Sequence, residues 1–485
     1  MRGQAALQCR RRRITHRSPL HPQTRSCGER VPADLIGLLH EGPTTGDKKA
    51  SLPATKDNDT RPFLLCSHQM IRARAENRSR YNTYQGQPRN LLIYDESLIT
   101  SDVRHFGTEP LCANLAHAIE YLRRRDDHAD MCNYLTGIKA TIEAAEDRYD
   151  PLDVTMIQQP ERDPRLAEQY IQHFSEPGQR NNPVVVEFLK ASNLPLRMLK
   201  SGSTAIVSYQ VVVPEALNNI LVLDASFPIR KLCHYDSTIK SAETRPGLKQ
   251  AGVPAFHSLK RFDNVDLYRL KSYGGRYSME KRFKDKTMAK EVAQVVKDIP
   301  ADESILFFVF KQNQPGSVDY QKVLLAELAK AGIDTDAEIN GRPRLTVQTW
   351  GNETSLNDHA HCQHVFLVGI LHRNDTELMG QYLGQIDDLQ GEIGKTLAGD
   401  LQLSERAHLA YQALSRGACW FVEKGQARQM TGYIVEVDPE IETALSSVMP
   451  GATWKTWEPY FMKESDNLID SWVGRVVKYP LCQHE

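Results

Sequence analysis

The sequence lacks the features that mark secreted and membrane proteins. Its nine cysteines include no CxxC pair, and a chain of 485 residues needs no disulfide framework to hold a core together. It has no run of about 18 apolar residues that could cross a membrane. The start of the chain also has no apolar segment of the kind that a secretory signal carries. These absences favour a protein of the reducing cytoplasm.

An excess of charge of either sign is also missing. The chain has 60 Lys and Arg against 61 Asp and Glu, which excludes a protein coated with positive charge but not a local basic groove. The first 60 residues are polar and include Arg10–Arg13, and we predict an irregular leader there. Its Arg-rich start is typical of a transit peptide or a nucleic-acid-binding arm, although a leader without a selected role explains it equally well.

Short apolar runs are present and indicate buried parallel strands. Three of them are 62–67, 91–94 and 220–225, and the long section between the last two, 109–199, has helical spacing that predicts an insertion. Further along, strands alternate with helices, predicting a second parallel sheet: strands at 304–310, 344–348, 364–369 and 432–437, and helices at 320–331, 376–383 and 404–414. We therefore predict an α/β protein with parallel-sheet domains at 61–240 and 255–440 and an extension at 441–485.

The pair Asp95-Glu96 directly follows the second apolar run. Ligands bind at the carboxyl ends of strands in doubly wound sheets. An Asp at such a position can hold Mg²⁺ against nucleotide phosphates, and an adjacent Glu can polarise the attacking water. A strand end that is merely capped by acidic residues is the simpler alternative.

Several motifs with polar residues occur in a fixed order along the chain. They are Ser67-His68, Asp95-Glu96, Asp224-Ala225-Ser226, Val347-Gln-Thr-Trp-Gly351 and Tyr411-Gln412-Ala-Leu-Ser-Arg416. In this order they resemble the superfamily 2 helicases of the DEAD/DEAH-like kind, over about residues 62–440. The last four would be motifs II, III, V and VI. The resemblance implies two RecA-like domains in tandem, the first carrying the helical insertion.

The resemblance also implies roles for these residues. ATP and Mg²⁺ would bind between the two domains, with Asp95 holding the metal and Glu96 activating water. Asp224 and Ser226 would couple the state of the nucleotide to a nucleic-acid track. Gln412 would lie near the nucleotide, and Arg416 would be the arginine finger, since a guanidinium stays charged and can fork onto phosphate oxygens. The implied partner is nucleic acid, with DNA favoured over RNA, and Ser67 and His68 would contact it.

The chain departs from the family at the phosphate-binding loop. An intact loop reads GxxxxGK[ST] and offers backbone N–H groups, a Lys and a hydroxyl. The nearest segment here is Glu41-Gly42-Pro-Thr-Thr-Gly46-Asp47-Lys48-Lys49, with Lys48 as the candidate lysine. Its glycines are too close together, Asp47 is negative, Lys49 replaces the hydroxyl, and the pattern predicts no strong strand ahead of it. Alternatively, the true loop is missing and the chain is an N-terminally shortened member.

A second departure is in motif VI, where Cys419 and Trp420 stand in place of a second arginine. Losing one cation from a phosphate clamp can reduce a rate by orders of magnitude. Both departures count against unaided ATP hydrolysis and leave the predicted fold untouched.

Two further clusters are candidates for binding. Residues 260–290 mix cations with aromatic rings, a combination that suits phosphate attraction and base stacking, and from it we select Arg276, Tyr277 and Lys281. A solvated helix and loop is the alternative. The run from His359 to His364 lacks the second ligand pair that a structural zinc site needs, so we interpret it as a loop.

Three functions therefore remain open. The first is a helicase-like, nucleic-acid-dependent ATPase, truncated or degenerate. The second is a non-catalytic nucleic-acid-binding protein on a helicase-derived scaffold, and the third is an α/β enzyme of another class. ATP hydrolysis by the purified protein, with and without single-stranded DNA, separates the first two.

Overall fold

A computed structural model describes most of the chain. The described residues are 35–39, 57–66, 82–124, 128–150, 153–158, 164–175, 182–213, 219–246, 259–352 and 358–462, with the single residues 250, 252 and 256. They form two compact units, one within residues 1–102 and 209–223 and the other within 103–208 and 224–485. In the described part, no helix is long and apolar enough to cross a membrane.

The first unit contains short paired strands. They are β1 (Ile36–Leu39), β2 (Phe63–Cys66), β3 (Thr83–Tyr84), β4 (Gln87–Pro88) and β5 (Leu92–Asp95). β1 and β2 run parallel, and β3 and β4 form an antiparallel pair. Arg89 ties these pieces together, because its guanidinium donates to the carbonyl oxygens of Asn58, Arg61 and Pro62.

A mainly helical section follows β5 in the chain. It comprises β6 (Ser101–Gly107), α1 (Thr108–Arg123), α2 (Ala129–Asp147), α3 (Pro164–Ser175), α4 (Pro183–Ala191), β7 (Arg197–Ser201) and β8 (Ser203–Val211). The helices share a core that includes Leu115, Leu135 and Phe188, and the three strands form a sheet in the order β6-β8-β7. The chain then returns to β9 (Ile220–Leu223), which pairs parallel with β5. The mainly helical section therefore lies in sequence between two neighbouring strands.

The rest of the second unit is built on a larger sheet. Its elements are α5 (Lys231–Tyr235), β10 (Val265–Leu270), α6 (Arg276–Lys284), α7 (Thr287–Lys297), β11 (Ile305–Val309), α8 (Tyr320–Lys330), β12 (Glu338–Ile339), β13 (Arg342–Pro343), β14 (Leu345–Thr349), β15 (His364–Leu367), α9 (Asp375–Gln385), α10 (Leu397–Leu414), β16 (Val422–Glu423), β17 (Gln426–Ala427), β18 (Met430–Val435), α11 (Glu440–Val448) and β19 (Thr453–Thr456). Six strands are ordered β14-β11-β15-β18-β10-β19, and every neighbouring pair is parallel.

Close packing on both faces of this sheet explains its burial. A Cβ added to Gly432 of β18 would lie 2.8 Å from both Leu267 and Leu414, so only glycine lets α10 approach this closely. On the opposite face the ring of Tyr433 stacks on Phe366, with centroids 4.1 Å apart. Every residue of β11 is buried, as expected for a central parallel strand.

The predicted α/β class is confirmed, and the strands predicted from apolar runs are present with small shifts of their ends. Other strands of the described residues were not predicted, among them β6, β7 and β8 around the helical section, and three more that correct specific expectations. β1 lies in the supposedly irregular leader, β10 in the basic segment, and β19 in the supposed extension, where it joins the edge of the sheet beside β10. The insertion belongs to the same compact unit as the large sheet, and the domain boundaries at 61–240 and 255–440 stay a prediction.

Candidate nucleotide site and nucleic-acid surface

Asp95 and Glu96 lie where β5 ends. Asp95 is exposed and is aligned with Leu223 of β9, whereas Tyr94 before it is buried. The backbone N–H of Glu96 donates to the carbonyl of Leu223 at 3.0 Å. Glu96 has a φ of +76°, a conformation that is uncommon for a residue with a side chain and that is concentrated at functional sites.

The acidic side chain that ends β5 is of a chemical type that can bind a metal ion. The exposed carboxylate of Asp95 offers the hard oxygen ligands that Mg²⁺ prefers. β5 and β9 run parallel and end at the same edge, where Asp95 is aligned with Leu223. Such neighbouring carboxyl ends are where ligands bind in parallel sheets.

The candidate phosphate loop follows a strand, contrary to expectation. β1 ends at Leu39 and is held by four aligned pairs with β2, so the segment Gly42–Lys49 begins three residues after a strand end. The sequence signal was weak because Gly37 interrupts a run of only four residues. Lys48 itself, and also Ser67 and His68 at the end of β2, lie outside the described residues.

Gln412 and Arg416 come together at the end of α10. Nη2 of Arg416 donates to Oε1 of Gln412 at 3.0 Å, and Arg416 is only 5% exposed. A cation just past a helix C-terminus is also favoured by the helix dipole. Burial raises the pKa of the neighbouring Tyr411 to about 12, so its hydroxyl stays protonated and polar at neutral pH.

Asp224 and Ser226 form a tight turn against the same helix. Oδ1 of Asp224 accepts from the backbone N–H of Ser226 at 2.8 Å and from its hydroxyl at 2.6 Å. The Ser226 oxygen is also 2.7 Å from Nδ1 of His408 on α10. Burial, reinforced by Arg230, lowers the pKa of His408 to about 4, which keeps its imidazole neutral.

Buried ion pairs on α10 extend this contact. Arg230 binds Glu405 through two hydrogen bonds of 2.9 and 3.1 Å, and Arg373 binds the same carboxylate at 3.4 Å. Burial works to raise the pKa of Glu405, but the neighbouring cationic groups, Arg230 foremost, together outweigh it and the pKa is lowered. Ser404 adds two bonds, accepting from the N–H of Lys231 and donating to the carbonyl of Ile229.

The sequence interpretation missed Ser404, Glu405 and His408. A usable signal was present, because polar residues at spacings of three and four lie on one face of a helix. These side chains are buried, and buried polar groups require specific partners. Nothing in the local sequence indicates which distant residues supply them.

Three of the five predicted nucleic-acid-binding residues lie on α6 in different environments. Tyr277 is 83% exposed, and Lys281, one helical turn later, is exposed as well. Arg276 is half-buried, lies 4.7 Å from the ring of Phe310, and donates to the carbonyl of Lys311 at 2.8 Å. Tyr277 and Lys281 therefore present a ring and a cation to solvent, whereas Arg276 anchors the helix.

α6 begins over a reversal of strand order. The chain passes from β11 to β14 in one direction and from β15 to β18 in the other, so β11 and β15 flank a topological switch point, where ligands bind in open sheets. Arg276 contacts Lys311 just after β11, and Gly274 accepts from the N–H of Ile370 just after β15. The exposed face of α6 thus starts at this crevice.

The histidine-rich run is engaged in local contacts. His359 bonds to Gln348, His361 lies 3.1 Å from Arg342, and His364 bonds to Glu303. Burial lowers the pKa of all three histidines. Within the described residues no group of three or more His, Cys, Asp or Glu side chains is arranged to hold a metal ion.

Comparison with known proteins gives a distant structural likeness. No protein-family model matches the chain, and no curated protein matches it. A solved structure titled "XPD_APO" is similar over 81% of this chain and 82% of its own, with 9% sequence identity and a TM-score of 0.42.

Proposed function

We propose that this protein is a helicase-like, nucleic-acid-dependent ATPase. The observation that carries the proposal is the parallel register of β5 and β9, in which Asp95 is aligned with Leu223. It supports a ligand site at this strand end, where Asp95-Glu96 directly follows β5. Carboxylates at such an edge are suited to a magnesium–nucleotide complex.

The position of β1 supports a phosphate-binding role for the segment that follows it. A phosphate loop connects a strand to a helix and uses backbone N–H groups with a lysine. The segment Gly42–Lys49 follows β1 directly, and Lys48 would supply the cation. Asp47 and Lys49 differ from the usual glycine and hydroxyl, so we expect weak nucleotide binding and slow turnover.

The proposed roles follow from the chemistry of each side chain. Bound ATP–Mg²⁺ would supply the phosphoanhydride that is cleaved. Asp95 would hold the metal, and Glu96 would accept a proton from the attacking water. Arg416 would offset negative charge on the phosphates. Because Arg416 is 5% exposed, this requires it to exchange its bond with Gln412 for one with phosphate.

Nucleic acid would bind on α6. Tyr277 is the most exposed large hydrophobic side chain of the described part, and an exposed ring beside a lysine suits base stacking with phosphate attraction. The location of the helix start beside the switch point of the sheet supports the same surface. Arg276 would act through its bond to Lys311, by holding the helix.

The hydrolysis test uses the full chain with Mg²⁺ and ATP, with and without single-stranded DNA. We expect phosphate release that DNA stimulates, and a loss of about 100-fold or more in Glu96→Gln, since removing a proton acceptor typically costs that much. Glu109→Gln is the matched control, because Glu109 is an exposed carboxylate at the start of α1. DNA binding without hydrolysis would instead favour a non-catalytic binding protein.

The nucleic-acid surface has its own test. Tyr277→Ala should weaken single-stranded DNA binding by about 1–3 kcal/mol, the usual contribution of one stacked base. Tyr277→Phe keeps the ring and should bind like the original chain. Equal affinities for the two variants would remove α6 from the proposed interface.

A further inference from the structure

The segment from Asp224 to Lys231 is hydrogen-bonded along one side of α10. Ser226 contacts His408, Arg230 pairs with Glu405, and the backbone around Lys231 bonds to Ser404. Ser404 and Glu405 are adjacent on α10, and His408 lies one turn later. The same helix ends beside Gln412 and Arg416. The turn at Asp224 and the end of α10 are therefore connected through one rigid helix.

The direction of the hydrogen bonds in this contact can be assigned. Oδ1 of Asp224 can only accept, so the single Ser226 hydroxyl hydrogen goes to it, across 2.6 Å. The Ser226 oxygen must then accept from Nδ1–H of His408, across 2.7 Å. The result is a continuous chain from His408 through Ser226 to Asp224, in which each bond polarises the next.

Both inner members of this chain are shielded from water. Ser226 is 0% exposed and His408 5% exposed. Buried hydrogen bonds leave few alternative arrangements, because a lost partner inside the protein is not replaced by solvent. The orientation of the Asp224 carboxylate is therefore fixed relative to α10.

We propose that His408 is a positioning residue: through Ser226 it fixes Asp224 relative to α10, so that nucleotide and nucleic-acid binding are coupled. This inference rests on the proposed function, in which Asp224 and Arg416 serve the nucleotide. His408 touches neither ligand. Its contribution is to make a change at Asp224 move α10, and with it Gln412 and Arg416.

The test measures single-stranded DNA affinity of the full chain with and without a non-hydrolysable ATP analogue and Mg²⁺. The ratio of the two dissociation constants is the readout, because a merely structural defect lowers both affinities without changing their ratio. In His408→Gln and in Ser226→Ala we expect the ratio to fall by about 5-fold or more, the lower end of typical coupling. The double variant should lose no more than either single variant.

Two variants serve as matched controls. His408→Asn places an amide N–H close to the position of Nδ1 and should keep most of the coupling, whereas the longer side chain of Gln displaces it. Asp400→Asn breaks the exposed ion pair with Lys231 on the same side of α10, and such pairs contribute little. It should leave the ratio unchanged.

An unchanged ratio in His408→Gln and Ser226→Ala, or equal losses in the Asn and Gln variants of His408, would overturn the proposal. The proposal would also be overturned if the nucleotide analogue does not change the DNA affinity of the original chain, even if DNA-stimulated hydrolysis is found. Conversely, a nucleotide-dependent ratio without hydrolysis would refute only the catalytic part of the proposed function.

Discussion

The six-stranded parallel sheet and the parallel pair β5–β9 differ sharply in how far their apolar side chains are exposed. In the six-stranded sheet, Ile305, Leu306 and Phe307 of β11 are each 0% exposed. In the first unit, Leu221 of β9 is 37% exposed, and Leu91 just ahead of β5 is 52% exposed. Both kinds of strand come from the same sort of apolar run, so the run predicts the strand but not how deeply it is buried.

The buried sheet and the more exposed strand pair contribute different properties, the first stability and the second the candidate binding residues. A sheet covered on both faces supplies most of the hydrophobic stabilisation, at roughly 25 cal/mol per Å² of buried apolar surface. Paired strands that are half exposed supply less, yet β5 carries Asp95 and the left-handed Glu96. Binding residues commonly lie on such less stable parts of a protein, held in place by a rigid scaffold.

The largest effect should come from the core of the large sheet. Phe307→Ala removes a fully buried ring, and we expect the free energy of unfolding to fall by about 3–5 kcal/mol. All five tryptophans lie beyond residue 349, so tryptophan fluorescence during urea unfolding reports on the second unit. Leu221→Ala, in the first unit, should not change the urea concentration at the midpoint of this transition. Equal changes of the midpoint in the two variants would contradict the contrast between the large sheet and the pair β5–β9.

The second-largest effect on the free energy of unfolding is expected at Glu291. This carboxylate is 0% exposed and accepts the backbone N–H groups of Tyr460, Phe461 and Met462. Glu291→Gln replaces one accepting oxygen by a donor, which should cost about 2–4 kcal/mol in the same urea experiment. A cost below about 0.5 kcal/mol, as for a surface substitution, would show that these bonds do not hold the segment after β19.

A smaller effect is expected from the dependence of the free energy of unfolding on pH. The pKa of His408 falls from 6.5 to about 4 on folding, so the unfolded chain binds more protons between these values, and stability must decrease as pH falls from about 6.5 to about 4. The charged groups facing His408 are Arg230, Glu405, Asp224 and Arg373. Other buried histidines, such as His364, shift in the same direction.

His408→Gln isolates the contribution of this one group. Its slope of unfolding free energy against pH should be shallower by up to about 1.4 kcal/mol per pH unit in that window. A slope identical to that of the original chain would mean that the pKa of His408 does not change on folding, which would contradict its burial as a neutral imidazole.

The sequence was most informative where strands are apolar throughout. β11 and β15 were predictable because continuous apolar runs bounded by polar residues leave little choice. β10 and β19 were not, because Asp266, Arg269 and Lys455 interrupt the pattern; these side chains are paired with Lys455, Glu442 and Asp266. Strands at or near a sheet edge can carry such charged residues.

The candidate site was only partly predictable for a different reason. The polar strand ends Asp95-Glu96 and Asp224–Ser226 follow from sequence, since each comes after an apolar run. The bond between Ser226 and His408 does not, because 182 residues separate them. Local sequence indicates that a buried histidine needs a partner, while the fold alone decides which one.

The most direct measurement of the central claim is Mg²⁺-dependent ATP binding to the full chain by titration calorimetry. We expect the original chain to bind, and Lys48→Ala to abolish this binding or weaken it at least 10-fold, about 1.4 kcal/mol, because Lys48 is the proposed phosphate-binding lysine. Lys322→Ala, which removes an exposed lysine of α8 outside the proposed site, is the control and should bind within about 2-fold of the original. Equal binding by the two variants, or none by the original chain, would contradict the proposed nucleotide site.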